Sequence, residues 1–400
     1  MPAKFVQIHT LTNYPASLLN RDDAGFAKRM PFGGAVRTRI SSQCLKRHWR
    51  VYTGEHSLAT VDAPSTVRSR VAFERHLVQP LVAENLPEGT VTAAVGKIVS
   101  IILGSEAKQE KAAGRKARGE APNSQGQAEP PKAATAQVTV LGMPELEYLR
   151  GLTREVVQAA GDDVQRLEQI VDERMRDQRE LRENIRALMP GSLEAGLGAA
   201  LFGRMVTGDV LSRCDAAIHV AHAITVHAQM TESDYFTAID DLVREEGDQG
   251  SGHINSAELT SGLFYGYLVI DVDGLVANLG GGDRTLAGDV AERLVHIVAT
   301  VSPGAKKGST APYAYSHLVL VESGKAQPRT LQNAFLDPVR ADGDLVARTY
   351  SAMRDHLADL DAMYGKNEMR AHAGLRSEPY FEQKMSLSEL ACWTMRQVAE

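Results

Sequence analysis

The sequence has little cysteine and no long apolar run. Its three cysteines, Cys44, Cys214 and Cys392, lie far apart in the 400-residue chain and form no CxxC pair. An odd, sparse set argues against both a disulfide framework and a zinc site, and it favours a reducing, cytoplasmic compartment. No apolar stretch approaches the roughly 18 residues of a membrane helix, and the N-terminus lacks the apolar core of a signal peptide. No membrane partner is therefore expected.

Aromatic residues are also scarce, at 6% of the chain, and the formal net charge is −6. The first feature disfavours a surface that stacks every base of a nucleic acid, and the second disfavours a general nucleic-acid binder. The charge is unevenly distributed, however. Residues 1–50 hold nine Lys and Arg against Asp22 and Asp23, a net of +7, which leaves −13 on the other 350 residues. Such a local patch is typical of phosphate binding, and a solvated basic surface is the simpler alternative.

Hydrophobic alternation predicts strands on both sides of this patch's first loop. "KFVQIHTL" near the N-terminus alternates, and so does "AVRTRI", which follows a turn at Gly33-Gly34. The second strand is expected to place Val36, Thr38 and Ile40 on one side and Arg37 and Arg39 on the other.

A helix is predicted next, capped by Ser41 or Ser42, because a serine hydroxyl accepts a hydrogen bond from the first-turn N–H groups. The polar residues that follow are spaced i, i+3, i+4 and i+7, which places them on one helix face. Leu45 and Trp49 fall on the opposite, buried face. The patch is therefore expected to be one-sided, with Gln43, Lys46, Arg47 and Arg50 exposed together.

The remaining pattern indicates an α+β protein rather than a doubly wound one. Residues 105–137 lack aromatics and are rich in Ala, Gly, Gln, Pro, Lys and Glu, which predicts a flexible insertion. Residues 144–189 have helical periodicity, and the segment from Asp234 has β-prone flanks around an acidic, Gly-rich centre, which predicts a long hairpin. Ser386 and Glu389 form a capping-box pattern before a C-terminal helix.

Two candidate metal sites are weak. His219, His222 and His227 lie close together but lack an HExxH pattern and a carboxylate partner, so core or interface histidines are the better interpretation. Asp22 and Asp23 could hold Mg²⁺ through carboxylate oxygens, but the sequence offers no third ligand at a recognisable spacing. The simpler interpretation is that they cap or turn the loop or pair with Arg21 and Lys28. No Rossmann, P-loop or nucleophile-elbow motif occurs.

Seven short motifs nevertheless resemble a known family. "LLNRDD", "FGGAVRTRISSQCLKR", "GRMVTGD", "AHAITVH", "DYFTAIDDL", "TSGLFYGY" and "VSPGAK" occur in that order between about Phe5 and Leu336. Together they resemble the CasC family, the repeated backbone subunit of the type I-E CRISPR Cascade surveillance complex. The combination around "NRDD", "FGG" and "RISSQxLKR" is specific, whereas the last 60 residues resemble the family poorly.

The resemblance implies an α+β fold shaped like a right hand. An RRM-like (ferredoxin-like) palm carries a helical fingers domain and a β-hairpin thumb. On this sequence the palm would comprise 1–50, 200–232 and 268–340, the fingers 51–199 with the 105–137 insertion, and the thumb 233–267, with 341–400 of uncertain assignment.

It also implies a non-catalytic function in antiviral defence. Copies of the chain would polymerise head to tail along a CRISPR RNA (crRNA), and each thumb would kink the RNA at regular intervals and leave segments free to pair with target DNA in an R-loop. The implied partners are crRNA, target DNA, further copies, other Cascade subunits and, through them, a nuclease-helicase. No cofactor is expected. Related backbone subunits cut target RNA, so a metal-dependent RNase acting through Asp22 or Asp23 stays open as the alternative.

The family's functional positions can be transferred residue by residue. Met205 matches a residue that packs against bases beside the kink. The thumb positions that wedge into the duplex match Phe236, Thr237 and Ile254. Contacts with the crRNA backbone are implied for Arg21, Lys28, Ser41, Gln43, Lys46, Arg47 and Arg50.

Overall fold

The computed structural model describes residues 3–103, 133–135, 137–161, 163–205, 210–239, 251–282 and 284–400. These residues form a mixed α+β protein, as the sequence predicts. The chain divides into two compact units, Met1–Val61 with Ile218–Val272 and Arg284–Glu400, and Asp62–Ala217 with Asp273–Asp283. Apart from 133–135 and 137, the predicted 105–137 insertion lies outside the described residues. The finer division into palm, fingers and thumb stays a prediction.

The strands in chain order are β1 (Phe5–Ser17), β2 (Arg29–Phe32), β3 (Ala35–Ile40), β4 (Thr66–Ser69), β5 (Thr139–Gly142), β6 (Ile218–Val220), β7 (Ala223–Thr225), β8 (Thr231–Ile239), β9 (Ser251–Asp271), β10 (Ser316–Gly324), β11 (Met369–Gly374) and β12 (Gln383–Lys384). The helices are α1 (Ser42–Val51), α2 (Gln79–Ala83), α3 (Glu88–Ile102), α4 (Met143–Ala160), α5 (Val164–Arg174), α6 (Gln178–Arg186), α7 (Leu197–Phe202), α8 (Val272–Asn278), α9 (Arg284–Thr300), α10 (Lys307–Thr310), α11 (Leu345–Tyr364) and α12 (Leu387–Ala399). Among the described residues, no helix has both the length and the hydropathy that a membrane crossing requires.

The first unit is built on one sheet with the order β12-β11-β10-β1-β9-β7-β3-β2, and β6 and β8 also pair with β9. β1 runs antiparallel to both neighbours, so that Ile8 lies opposite Leu268 on β9 and Val321 on β10. Both faces of β1 are covered, and its polar residues Gln7 and His9 are as buried as its apolar ones. A central strand covered on both faces keeps little of the in–out contrast that alternation implies.

The apolar core lies on both sides of this sheet. On one face, Leu11 and Tyr265 of the sheet pack with Phe335, Met353 and Leu357, the last two from α11. On the other, α9 and α12 pack against each other and against β1 and β10.

The C-terminal 60 residues, which the sequence left unassigned, complete this sheet. β11 pairs antiparallel with β10, and α11 and α12 add to the helical layers. The predicted capping box at the start of α12 is confirmed. The Glu389 N–H donates to Ser386 Oγ, and the Ser386 N–H donates to Glu389 Oε2 at 2.8 Å.

The second unit is mainly helical, as the periodicity of residues 144–189 predicts. Its core includes Val91 and Ile98 of α3 together with Leu149 and Val156 of α4. β4 and β5 form a separate two-stranded ribbon in which Val67 lies opposite Leu141.

The predicted long hairpin is present in the first unit as β8 and the N-terminal part of β9. The pairing starts at Thr231 opposite Thr260 and continues to Ile239 opposite Ser251. Residues 240–250, between the two strands, lie outside the described residues.

Candidate nucleic-acid interface

Helix α1 presents a polar, basic face as the sequence predicts. Leu45 and Trp49 are buried on its inner side, whereas Gln43 and Arg47 are exposed and Lys46 and Arg50 are half-buried. We call these four outward residues the α1 surface. Ser41, itself buried, is the cap, because its Oγ accepts a hydrogen bond from the Cys44 N–H at 3.3 Å. The i, i+3, i+4, i+7 spacing thus produces one outward face.

The loop between β1 and β2, residues 18–28, lies beside the start of α1. Asn20 joins the two, since its Oδ1 accepts from the Ser41 N–H at 2.9 Å while its carbonyl accepts from the Lys28 N–H at 2.8 Å. The Lys28 carbonyl in turn accepts from the Arg39 N–H at 2.7 Å. These backbone bonds hold Lys28 next to the helix, while Arg21 is exposed on the same loop.

Asp22 closes this loop. Its Oδ1 accepts hydrogen bonds from the Ala24 and Phe26 N–H groups, both at 3.0 Å, which is the turn role that Asp side chains commonly take. Within the described residues, no group of three or more His, Cys, Asp or Glu side chains could hold a metal ion. Cleavage through Asp22 or Asp23 stays an untested alternative.

Two cations counted in the N-terminal patch do not face solvent as free charges. Arg37, expected on the outer side of β3, is fully buried, and its guanidinium donates to the carbonyl oxygens of Phe32, Thr225 and Phe335 at 3.2, 3.0 and 2.7 Å. Burial lowers its pKa. Arg29 is paired with Glu258 of β9 at 3.0 Å. The strand's alternation is reversed at this end because Arg37 is needed to satisfy inward carbonyls, and Val36 is left exposed.

His222 is a member of the site that sequence reasoning missed. The exposed His222 accepts a hydrogen bond at Nδ1 from the Ser42 N–H at 3.0 Å, and Arg39 Nη1 lies 3.4 Å from the same atom. Partial burial, Arg39 and Lys28 all lower the pKa of His222, so the neutral ring with Nε2–H is favoured. No local pattern indicates this contact, because Ser42 lies 180 residues away.

The other clustered histidine with a clear role is His227, which is a core residue as interpreted from the sequence. It is 1% exposed, its Nε2 accepts from the Leu263 N–H at 3.2 Å, and burial lowers its pKa.

Met205 lies in the second unit and is 89% exposed. The residue before it is anchored firmly. Arg204 is buried, donates to Glu145 Oε2 at 2.6 Å and contacts the Ser212 carbonyl through Nη2 at 2.7 Å. The structure thus places a large apolar side chain in solvent next to a buried ion pair. Residues 206–209 lie outside the described residues.

The three predicted thumb positions lie on the paired strands of the hairpin. Thr237 of β8 is directly opposite Ile254 of β9, and Phe236 precedes it opposite Asn255. The hairpin therefore brings the three positions together by backbone register. Glu258, further along β9, also accepts from the Ala27 N–H at 2.6 Å, so the hairpin base is fastened to the first loop.

The fold is shared with solved structures. A chain of a structure named "CRISPR RNA-guided surveillance complex, pre-nicking" superposes with a TM-score of 0.73 at 23% sequence identity, over 98% of this chain and 100% of that chain. A chain of another, named "CRISPR RNA-guided surveillance complex", gives a TM-score of 0.57 at 21% identity, over 98% of each chain. At these identities the likeness establishes a common fold.

No curated protein matches the sequence. The family model described as CT1975-like protein, by contrast, matches residues 6–399 and so includes both units and the C-terminal strands that the sequence motifs did not reach. Because the match extends over nearly the whole chain, this protein belongs to the CT1975-like protein family.

Proposed function

We propose that this protein is a non-catalytic backbone subunit of a cytoplasmic CRISPR RNA-guided surveillance complex. Copies of the chain bind crRNA head to tail, kink it at regular intervals and present it for pairing with target DNA. Other Cascade subunits, and through them a nuclease-helicase, are its further partners. The motif resemblance supports the more specific assignment to the type I-E CasC family, with an RRM-like palm, helical fingers and a hairpin thumb.

The observation that carries this proposal is the one-sided α1 surface beside the first loop. On one face of this helix, Gln43 and Arg47 are exposed and Lys46 and Arg50 are half-buried. Lys28 is held next to the helix N-terminus. Cations and amides on a rigid helix suit phosphate oxygens and carry no information about base identity. That is what a subunit carrying guides of any sequence requires. The family match and the shared fold add support, because the matched solved chains come from surveillance complexes.

A salt-dependent titration with labelled single-stranded RNA tests the proposal. The full-length chain should bind intact RNA in steps whose number grows with RNA length. The double variant Lys46→Ala/Arg50→Ala should weaken binding equally for unrelated sequences, and it should flatten the plot of log affinity against log salt by about 0.7 per lost phosphate contact. A loss confined to some sequences would contradict backbone recognition.

The matched control removes the same charge elsewhere. Arg174 and Arg179 in the second unit are exposed and pair with Glu155 and Glu183. Arg174→Ala/Arg179→Ala should leave the salt slope unchanged. Each titration is run with and without Mg²⁺ to test the enzymatic alternative. RNA fragments that appear only with Mg²⁺, and that Asp22→Ala or Asp23→Ala abolishes, would show that the protein is a nuclease and contradict the non-catalytic proposal.

A further inference from the structure

Residues 302–315, between α9 and β10, form a surface loop that includes the short helix α10 and that the proposed function does not use. We call it the tyrosine loop. Its base is closed by Ser302, whose Oγ donates to the Ala314 carbonyl and accepts from the Ala314 N–H, both at 3.1 Å. Inside it, the Thr310 hydroxyl donates to the Lys306 carbonyl at 2.7 Å. The loop therefore has a defined conformation.

Close packing within the loop adds to this definition. A Cβ at Gly304 would lie 2.7 Å from Pro312 Cγ, so only glycine allows the two arms of the loop to approach as they do. Pro312 is buried, and Ala311 before it takes a left-handed conformation with φ of +39°. Buried Pro312 and half-buried Ala314 thus fix the backbone on both sides of Tyr313.

On this fixed backbone, two aromatic side chains project into solvent. Tyr313 is 73% exposed and Tyr315 is 75% exposed. Within the described part of the chain, neither hydroxyl has a hydrogen-bond partner. In a sequence with only 6% aromatic residues, two such rings two positions apart are unusual, since tyrosine normally buries most of its ring. Their faces are open to a flat partner.

The tyrosine loop adjoins the basic region around α1. The Ala305 N–H donates to the Leu18 carbonyl at 2.9 Å, which fastens the loop to the start of residues 18–28. Lys307 is exposed. The pKa of His48 on α1 is lowered mainly by the burial of its ring, and the charge of Lys307 adds to this effect. At the other end of the loop, Ser316 lies opposite Thr12 of β1, and their hydroxyl oxygens are 2.8 Å apart.

We propose that the tyrosine loop is a base-stacking site for unpaired nucleotides of the same RNA strand whose phosphates lie on the α1 surface. Tyr313 and Tyr315 stack on bases, and Lys307 faces the adjoining phosphate. An aromatic platform beside a cationic track is the usual way to hold a single strand without reading its sequence. This inference rests on the proposed function and adds a contact with bases to a surface that otherwise contacts the backbone.

The test compares RNA with an abasic strand of the same length, which keeps the ribose-phosphate chain and lacks every base. Tyr313→Ala/Tyr315→Ala should lower the affinity of the full-length protein for RNA by about 5-fold or more, with an unchanged salt slope. On the abasic strand the variant should bind as the wild type does. Tyr313→Phe/Tyr315→Phe should retain RNA affinity, because stacking needs the ring and not the hydroxyl.

Tyr364 supplies the matched control. It is 66% exposed at the end of α11, shortly before β11 begins. β11 begins at Met369, which lies opposite Ser323 of β10. Ser323 is at the end of β10 that is far from Tyr315 and the tyrosine loop. Tyr364→Ala should bind RNA normally. An equal loss on RNA and abasic strands, or no loss on either, would overturn the stacking site while leaving the proposed function intact. Failure of the wild type to bind RNA would overturn both.

Discussion

Two cationic regions of the first unit use arginine in opposite ways. On the α1 surface, Arg47 is exposed to solvent. Across β10 and β11, Arg370 is buried with 1% of its side chain exposed, and each of its three guanidinium nitrogens donates to a carboxylate. The contrast shows that the partner groups, and not the number of cations, decide whether an arginine is available for binding or holds the fold together.

The buried region is a closed ion network. Arg370 Nε donates to Glu322 Oε1 at 2.7 Å, and its two Nη groups donate to Asp361 at 2.6 Å each. Arg329 forms a second bidentate pair with Glu322, at 2.7 and 3.0 Å, and His9 Nε2 lies 3.1 Å from the same carboxylate. Burial alone would raise the pKa of Glu322, but hydrogen bonds from His9 and Arg329 lower it well below its usual range. Glu322 is therefore the hub of the network.

The largest expected effect follows from removing this hub. Glu322→Gln leaves Arg370 with one carboxylate fewer inside the protein, and uncompensated buried charge is expensive. The free energy of unfolding, measured with urea, should fall by about 3–5 kcal/mol. The control Glu183→Gln makes the same chemical change at an exposed helical pair with Arg179 and should leave it unchanged. Equal stability of the two variants would refute the assignment of the network as a stabilising element.

A smaller effect separates two arginines only ten positions apart. Arg37→Met removes the donor to three carbonyl groups, two of them in buried hydrogen bonds, and should lower the free energy of unfolding by about 2–4 kcal/mol. Arg47→Met removes the same charge from the α1 surface and should leave stability unchanged while it weakens RNA binding. Unfolding and RNA titration of both variants check this exchange of effects. Weaker RNA binding by Arg37→Met with an unchanged free energy of unfolding would contradict this prediction.

Local spacing explains why the α1 surface could be predicted. Four polar positions at helical intervals, a serine cap and two buried apolar residues, Leu45 and Trp49, all lie within ten residues of one another. The hairpin was predictable for the same reason, since its two strands are neighbours in the chain. In these segments the backbone geometry alone determines which residues share a face.

The contacts that the sequence could not predict join residues that are distant in the chain. His9 meets Glu322 313 residues later, and Arg37 meets the Phe335 carbonyl 298 residues later. Neither pairing leaves a periodic signal, so alternation suggested that Arg37 faces outward. The exposure of Tyr313 and Tyr315 could not be predicted either, because aromatic residues are on average largely buried.

The smallest expected effect is the pH dependence that the buried ion network gives to the stability of the protein. Burial lowers the pKa of His9 below its ordinary 6.5, although the hydrogen bond with Glu322 opposes this. The folded protein therefore binds fewer protons here than the unfolded chain, so this residue's contribution to stability is present above pH 6.5 and declines as the pH falls below it. The pKa values of the Glu322 and Asp361 carboxyls are also lowered, so their contribution to stability is lost only at more acidic pH.

The variant His9→Gln removes the titrating group and keeps a polar side chain. Between pH about 7.5 and about 5.5, the free energy of unfolding of the wild type should decline more steeply than that of the variant. Urea unfolding at several pH values measures both slopes. Parallel slopes would mean that His9 keeps the same proton affinity when the chain unfolds, and they would contradict the lowering of its pKa by burial.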